Sequence, residues 1–295
     1  MQTDNSLKTV VGLGEALFDV FPQGRKIGGA PANFAYHATQ MGCRGVAVSA
    51  VGRDELGDEI EQLFTSMKLD HILQRSERPT GTVQVTVDAA GVPAYEIKED
   101  VAWDSICFDD SLAALARQTD CVCFGSLAQR QQGSRQAIAA FLDAVKPGAL
   151  KVFDINLRQH FYSKELIEES LGQCNILKIN DEEFEIVSDM FDLDGTVARR
   201  AAMLMERFSL KALILTCGAE CSYVFDATGE VSHIATPRVE VVDTVGAGDS
   251  FTGAFCASLL RGLPVAEAHR RAVDVSAYVC TCAGAMPELP GSLRG

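Results

Sequence analysis

Positive charge is in short supply in this sequence. Lys and Arg number 26 against 40 Asp and Glu, a formal net charge of −14. Such a chain lacks the clustered cations that unspecific nucleic-acid binding requires. Any anionic ligand must be held locally, against the field of the whole protein. Long apolar runs are missing too: no stretch approaches the roughly 18 residues of a membrane span. The opening MQTDNSLKTVVGLGEALFDV has no basic segment leading into an apolar one, so neither an export signal nor a membrane partner is expected. Ten cysteines are present (Cys43, Cys107, Cys121, Cys123, Cys174, Cys217, Cys221, Cys256, Cys280 and Cys282), but none forms a C-x-x-C pair. No close pairs sit at zinc-ribbon spacing either. These thiols read as small buried hydrophobes of a reducing, cytoplasmic compartment. No Gly-Lys dipeptide occurs, which excludes a P-loop, and HRD and DFG are absent, which excludes the protein-kinase set.

What remains is an ordinary globular composition, 47% hydrophobic over 295 residues, enough for one large core. Continuous Val/Ile/Leu/Phe runs at 8–14, 45–52, 121–126, 151–156, 174–180, 211–216 and 223–227 read as strands buried on both faces of a parallel sheet. Amphipathic segments at 32–41, 55–67, 133–145 and 194–208 lie between them as helices. The alternation predicts a doubly wound α/β fold with a mostly parallel central sheet and ligands at the carboxyl ends of its strands. TGTVQVTVDAAGVPAYE (80–96) breaks the pattern by alternating apolar and polar residues around the turn DAAG, which predicts an antiparallel hairpin off the core. Its valine face, Val83, Val85 and Val87, is too small to stand alone and must cover something. Residues 1–295 thus form one domain, with a small antiparallel β lid from about 80–100 plus the segment around 18–28.

Gly12-Leu13-Gly14 follows the first strand and begins like a dinucleotide fingerprint, but Leu17 stands where the third glycine belongs. The segment Asp243-Thr244-Val245-Gly246-Ala247-Gly248-Asp249 runs into the apolar helix FTGAFCASLL. The N–H groups of Gly246, Ala247 and Gly248 at a helix N-terminus make an anion hole without a cation. In the same first turn the helix dipole is expected to keep Asp249 a carboxylate, able to take a proton from a hydroxyl; its plain alternative is a helix cap. Gly28-Gly29-Ala30-Pro31-Ala32-Asn33 opens another helix. With Asp19 it supplies the exposed amides, amide side chain and carboxylate of a polyol site, although each residue alone suits a turn. Arg158, at a strand end, reads either as a contact to sugar or phosphate or as half of a salt bridge. The five histidines show no metal spacing.

Together the two glycine segments resemble the two signatures of the PfkB-type carbohydrate kinases, the ribokinase-like superfamily. FDINLR (153–158), Asn180-Asp181-Glu182-Glu183 and AGVPAYEIKEDVAWDSI (90–106) extend the likeness over nearly the whole chain and look most like bacterial fructokinases. The resemblance implies Asp249 as general base and the 246–248 amides as the hole for the transferring γ-phosphoryl. It implies Asp19, Gly29 and Asn33 as sugar ligands. Asn180 and Glu183 would position Mg·ATP, Glu183 through magnesium-bound water, and Thr216 and Gly218 would line the nucleotide pocket. Cys221 departs from the family's T-x-G-x-x-G at its last glycine. Asp243, Val245 and Gly284 fall where relatives hold a monovalent cation, which implies potassium activation. The expected reaction is ATP- and Mg2+-dependent phosphorylation of a monosaccharide, with D-fructose leading and 2-keto-3-deoxygluconate and ribose as rivals. A sugar-binding protein without catalysis is the reading from another class. The lids of ribokinase-like dimers pack on one another, which implies a twofold homodimer here.

Overall fold

The structure is a computed structural model that describes residues 7–87 and 93–295; the side chains at 85–87 and 93–95 lie outside that description, as does the expected DAAG turn at 88–91. In chain order its strands are β1 (Thr9–Leu13), β2 (Leu17–Phe21), β3 (Gly24–Gly28), β4 (Arg44–Gly52), β5 (Asp70–Ser76), β6 (Gly81–Val87), β7 (Pro93–Ile97), β8 (Cys121–Phe124), β9 (Leu150–Asp154), β10 (Ile176–Asn180), β11 (Ala212–Cys217), β12 (Cys221–Asp226) and β13 (Val231–Ala235). Its helices are α1 (Ala30–Gln40), α2 (Glu55–Ser66), α3 (Asp110–Ala116), α4 (Gln132–Ala144), α5 (Lys164–Gln173), α6 (Asp181–Met190), α7 (Val197–Phe208), α8 (Ala247–Leu260) and α9 (Val265–Cys280).

Nine strands form the central sheet, in the order β13-β12-β11-β10-β9-β8-β1-β4-β5. Every pairing from β5 to β11 is parallel. Neighbouring residues along one strand are buried on opposite faces. Val10, with Cys121, Val152 and Ile176, packs against α8 and α9, while Val11, with Val122, Phe153 and Leu177, packs against the helices of the other side. Continuous apolar runs are what such two-sided burial requires. The 223–227 run, expected among the parallel strands, is antiparallel instead. Only Gly218, Ala219 and Glu220 separate β11 from β12, and a parallel return needs a crossover of about a dozen residues or more. Gly12 explains the truncated fingerprint: a Cβ there would lie 1.8 Å from the Pro31 carbonyl oxygen, so α1 rests directly on β1. These glycines serve packing.

The lid is a second sheet, β3-β2-β6-β7. Its two hairpins, β2/β3 and β6/β7, are antiparallel and meet through a parallel β2–β6 pairing. Both leave from core strands, β1 and β5, that run the same way, which sets that one parallel contact. Asp54 anchors the base of the second hairpin: its carboxylate caps α2 at Gly57 N–H and accepts from Thr80 N–H (2.8 Å) and Oγ1 (2.6 Å). The return to the core is held by Arg130, which donates from two nitrogens to Asp104 at 2.7 and 2.8 Å and stacks 3.9 Å from the Trp103 ring. Val83 on β6 and Ile97 on β7 are buried on the lid and line the cavity below it. All ten cysteines are free. Among the described residues no helix is long and apolar enough to cross a membrane.

Candidate active site

Where β1, β9, β10 and β11 end, a cavity of about 1230 Å³ opens between the core and the lid. It is larger than one small-molecule site commonly needs, and its lining changes character along its length. Asp19, Gly28, Gly29, Asn33 and Arg158 line one end, Gly246, Ala247, Gly248 and Asp249 the middle, and Asn180, Thr216 and Gly218 the other.

The middle is built by the start of α8. Gly246 has φ 78°, and a Cβ there would lie 2.7 Å from the Ala285 Cα, so both the turn and the packing demand glycine. The first N–H groups of a helix have no intrahelical partner. Ala247 N–H donates to the Thr244 carbonyl at 3.2 Å, whereas those of Gly246, Gly248 and Asp249 have no backbone partner among the described residues. The free donors are thus shifted by one residue from the expected trio, Asp249 replacing Ala247. Asp249 also accepts from Asn33 Nδ2 at 2.8 Å, which joins the two glycine segments across 216 residues of sequence. Its pKa is not held low by the dipole as expected. Burial pushes it up, the Asp154 charge adds to this, and Asn33, Lys178 and Arg158 offset only part, leaving it at about 6. At neutral pH the carboxylate form still predominates.

The expectation of an anion hole without a cation is overturned by Lys178. Its ammonium is buried in the cavity wall and pairs with Asp154 at 3.1 Å. Asp154 is fixed in turn by Thr252 Oγ1 at 3.1 Å. A Cβ on residue 248 would lie 2.9 Å from Lys178 Nζ, so Gly248 is what lets the cation reach the helix start. Burial works against the charge of Lys178, but Asp154, Glu183 and Asp249 together hold its pKa above the ordinary lysine value. The cation is secured by three carboxylates.

At the end lined by Asp19, Gly29 caps α1 with its backbone and Asn33 is almost wholly buried, its Oδ1 without a hydrogen-bond partner among the described residues. Burial raises the Asp19 pKa, against the pull of Lys26 and Arg158. Arg158 is held by its own loop, donating to the Leu157 carbonyl (3.0 Å) and to Asn156 Oδ1 (3.2 Å). No carboxylate pairs with it among the described residues, so the salt-bridge reading gives way to a guanidinium facing the cavity. Two histidines are scaffold. His37 Nε2 meets the Ala285 carbonyl at 2.8 Å, and His269 is wedged between Ser222 and Ser232.

The Asn180–Glu183 pair is a capping box at the start of α6. Asn180 Oδ1 accepts from Glu183 N–H at 2.8 Å, while Glu183 accepts from Asn180 N–H (3.0 Å) and Leu157 N–H (2.9 Å). Each oxygen of Glu183 thus accepts one backbone N–H, and the carboxylate residues that line the cavity beside Asn180 are Asp181 and Glu182. Glu183→Ala would strand two N–H groups, each costing about 1–3 kcal/mol. We expect a lower Tm and a looser 156–159 loop, with an unchanged magnesium requirement. A raised magnesium requirement at unchanged Tm would return Glu183 to the metal. Asp243, Val245 and Gly284 do come together, but through one another: the Asp243 carboxylate accepts from Val245 N–H and Gly284 N–H, both at 3.1 Å, and from Lys26 Nζ at 3.2 Å. A monovalent cation at Asp243 would meet the Lys26 ammonium first.

At the far end of the cavity, Thr216 is the penultimate residue of β11 and Gly218 turns with φ 50° into β12, where Cys221 pairs opposite Cys217. The residue in the last glycine's place is thus an ordinary strand residue, and the hairpin forms without that glycine. Burial and the neighbouring Cys221 push the Cys217 thiol up to about 12, so it stays protonated.

A fructokinase from Klebsiella pneumoniae is 29% identical over 298 residues, covering 94% of this chain and 95% of its own. The fructokinase of Xylella fastidiosa with bound ATP superposes with a TM-score of 0.84 at 20% identity, over 97% of this chain and 96% of the other. That of Vibrio cholerae O395, bound to fructose, ADP and calcium ion, gives 0.82 at 22% identity over 98% of each chain. Both structural likenesses concern the fold. The sequence itself matches the pfkB family carbohydrate kinases from residue 13 to residue 291, and the chain belongs to that family.

Proposed function

We propose that the protein is an ATP-dependent fructokinase of the cytoplasm, transferring the γ-phosphoryl group to a hydroxyl of D-fructose. The observation that carries this reading is Asp249, set between free amide donors and the end of the cavity lined by Asp19, Gly29, Asn33 and Arg158. On it, Asn33 fixes the Asp249 carboxylate, and Asp19, Gly29 and Arg158 orient the sugar so that one hydroxyl faces Asp249. Asp249 takes the proton as that oxygen attacks. The Gly246, Gly248 and Asp249 amides and the Lys178 ammonium neutralise charge on the phosphoryl oxygens. Val83 and Ile97, the lid residues that line the cavity, keep water from competing as acceptor.

The nucleotide lies toward Asn180, Thr216 and Gly218. Among the described residues no three His, Cys, Asp or Glu side chains cluster as a metal cage. Asp181 and Glu182 suit a magnesium ion that keeps most of its waters and rides on the phosphates. When bound it would supply further neutralisation of phosphate charge. Activation by potassium is not carried into this reading, because Lys26 already supplies a cation at Asp243.

Fructose is preferred to 2-keto-3-deoxygluconate on electrostatics. Asp19, Asp249 and the partly ionised Glu15 line that part of the cavity against Arg158, while Lys178 is paired with Asp154 and Lys26 with Asp243. A sugar acid would bring a further negative charge among them. ADP release with fructose, ribose, 2-keto-3-deoxygluconate and glucose tests the choice; fructose should give the highest kcat/KM. Preference for the sugar acid would overturn the substrate, and no turnover with any sugar would favour a sugar-binding protein. The reading also carries a twofold dimer through the lid, and a monomer in sedimentation at micromolar concentration would sink it.

A further inference from the structure

Glu15 stands directly after β1, inside the truncated fingerprint, where nothing in the motif gives it work. Its side chain is 6% exposed and lines the same cavity as Asp19, Asn33 and Asp249. The N–H groups of Glu15 itself and of Ala30, at the start of α1, face its carboxyl. Among the described residues Oε2 has no hydrogen-bond partner. Asn33 Oδ1, on a residue lining the same cavity, is likewise without a partner among the described residues. A buried oxygen left without a hydrogen bond is costly, and two of them bordering one cavity mark where a ligand's hydroxyls complete the structure. Asp249 and Arg158 are the charged groups that face Glu15.

We propose that Glu15 is a specificity-determining residue that holds a second hydroxyl of the sugar, distinct from the one Asp249 deprotonates, through its unpartnered Oε2. This rests on the sugar-kinase reading above and narrows it to neutral sugars bearing a hydroxyl at that second position. Burial raises the pKa of Glu15 to about 7, with the Asp249 charge adding and Arg158 opposing. The carboxyl can therefore accept from a hydroxyl when ionised and donate to one when protonated. A sugar lacking that hydroxyl would leave Oε2 as bare as it is now, and sites built to bond a hydroxyl reject analogues without it.

The test is a set of monodeoxy fructoses, one per carbon, assayed with ATP on the wild type and on Glu15→Ala. In the wild type, removal of one non-reacting hydroxyl should cost about 10- to 100-fold in kcat/KM, the range set by one unsatisfied buried polar group. In Glu15→Ala the KM for fructose should rise by a similar factor, the KM for ATP should stay put, and that deoxy analogue should become nearly as good as fructose. Tolerance of every deoxy sugar by the wild type overturns the proposal without any variant. If Glu15→Ala melts earlier yet discriminates as before, Glu15 only caps α1 and the proposal is wrong. No wild-type turnover with any sugar is a separate result: it removes the kinase reading itself, and this assignment with it.

Discussion

Asp249→Asn should lower kcat by about 10²–10⁴-fold, the contribution of a positioned general base, while changing both KM values little. The substitution keeps the shape and one oxygen for Asn33 Nδ2, so the site should assemble as before. Stability provides the control. The folded pKa of Asp249, about 6, lies above the ordinary 3.8 because burial disfavours the charge. The stability linked to that raised value is fully present below the unfolded pKa and is lost as pH rises through about 6. Asparagine carries no such loss, so at pH 7.5 the variant should melt no lower than the wild type while turning over far less substrate. In the wild type, kcat/KM should fall as pH drops below about 6, where the base becomes protonated. Wild-type turnover in the variant would reduce Asp249 to a helix cap.

Lys178→Met should be nearly as damaging, for a different reason. It removes the cation beside the free amides, and loss of one preorganised charge-stabilising group costs about 10²–10³ in kcat. It also leaves Asp154 buried without its partner, a loss of about 3–5 kcal/mol, so a fall in Tm alone proves nothing about catalysis. The pH profile separates the two effects. Lys178 helps hold the Asp249 carboxylate ionised, so its removal should move the acid limb of the rate to higher pH. A limb that stays in place in a folded variant would confine Lys178 to structure.

The strands of the parallel core are legible because burial on both faces leaves each a continuous apolar run. Several elements escape that signal. β13 alternates exposed and half-buried residues at the sheet edge, and β2 and β3 lie in the lid with polar residues between apolar ones. α9 carries a helical pattern that a search for strand–helix alternation passes over after the glycine segment. At the site, the two glycine segments, Asp19 and Asn33 converge as their residue types suggest. Lys178 is hidden because a lone lysine in ILKIN looks like a strand end, although a charge inside a two-sided buried strand is itself the signal of a partner. N-x-x-E is both a capping box and a phosphate-site pattern, and the structure shows the capping box, each oxygen of Glu183 accepting one backbone N–H.

The ion pair between Lys26 on β3 and Asp243 before α8 ties the lid to the loop that starts α8. On the proposed reading, sugar would meet the lid side of this pair and the phosphoryl group the loop side, so the pair would let the two substrates sense each other. Any free-energy coupling carried by the pair is reciprocal, so whatever bound sugar does to nucleotide affinity, nucleotide must do to sugar affinity. The pair is exposed enough that its worth is at most about 1 kcal/mol, roughly a fivefold mutual effect. Synergy between the substrates through this contact is therefore modest and fades as ionic strength rises.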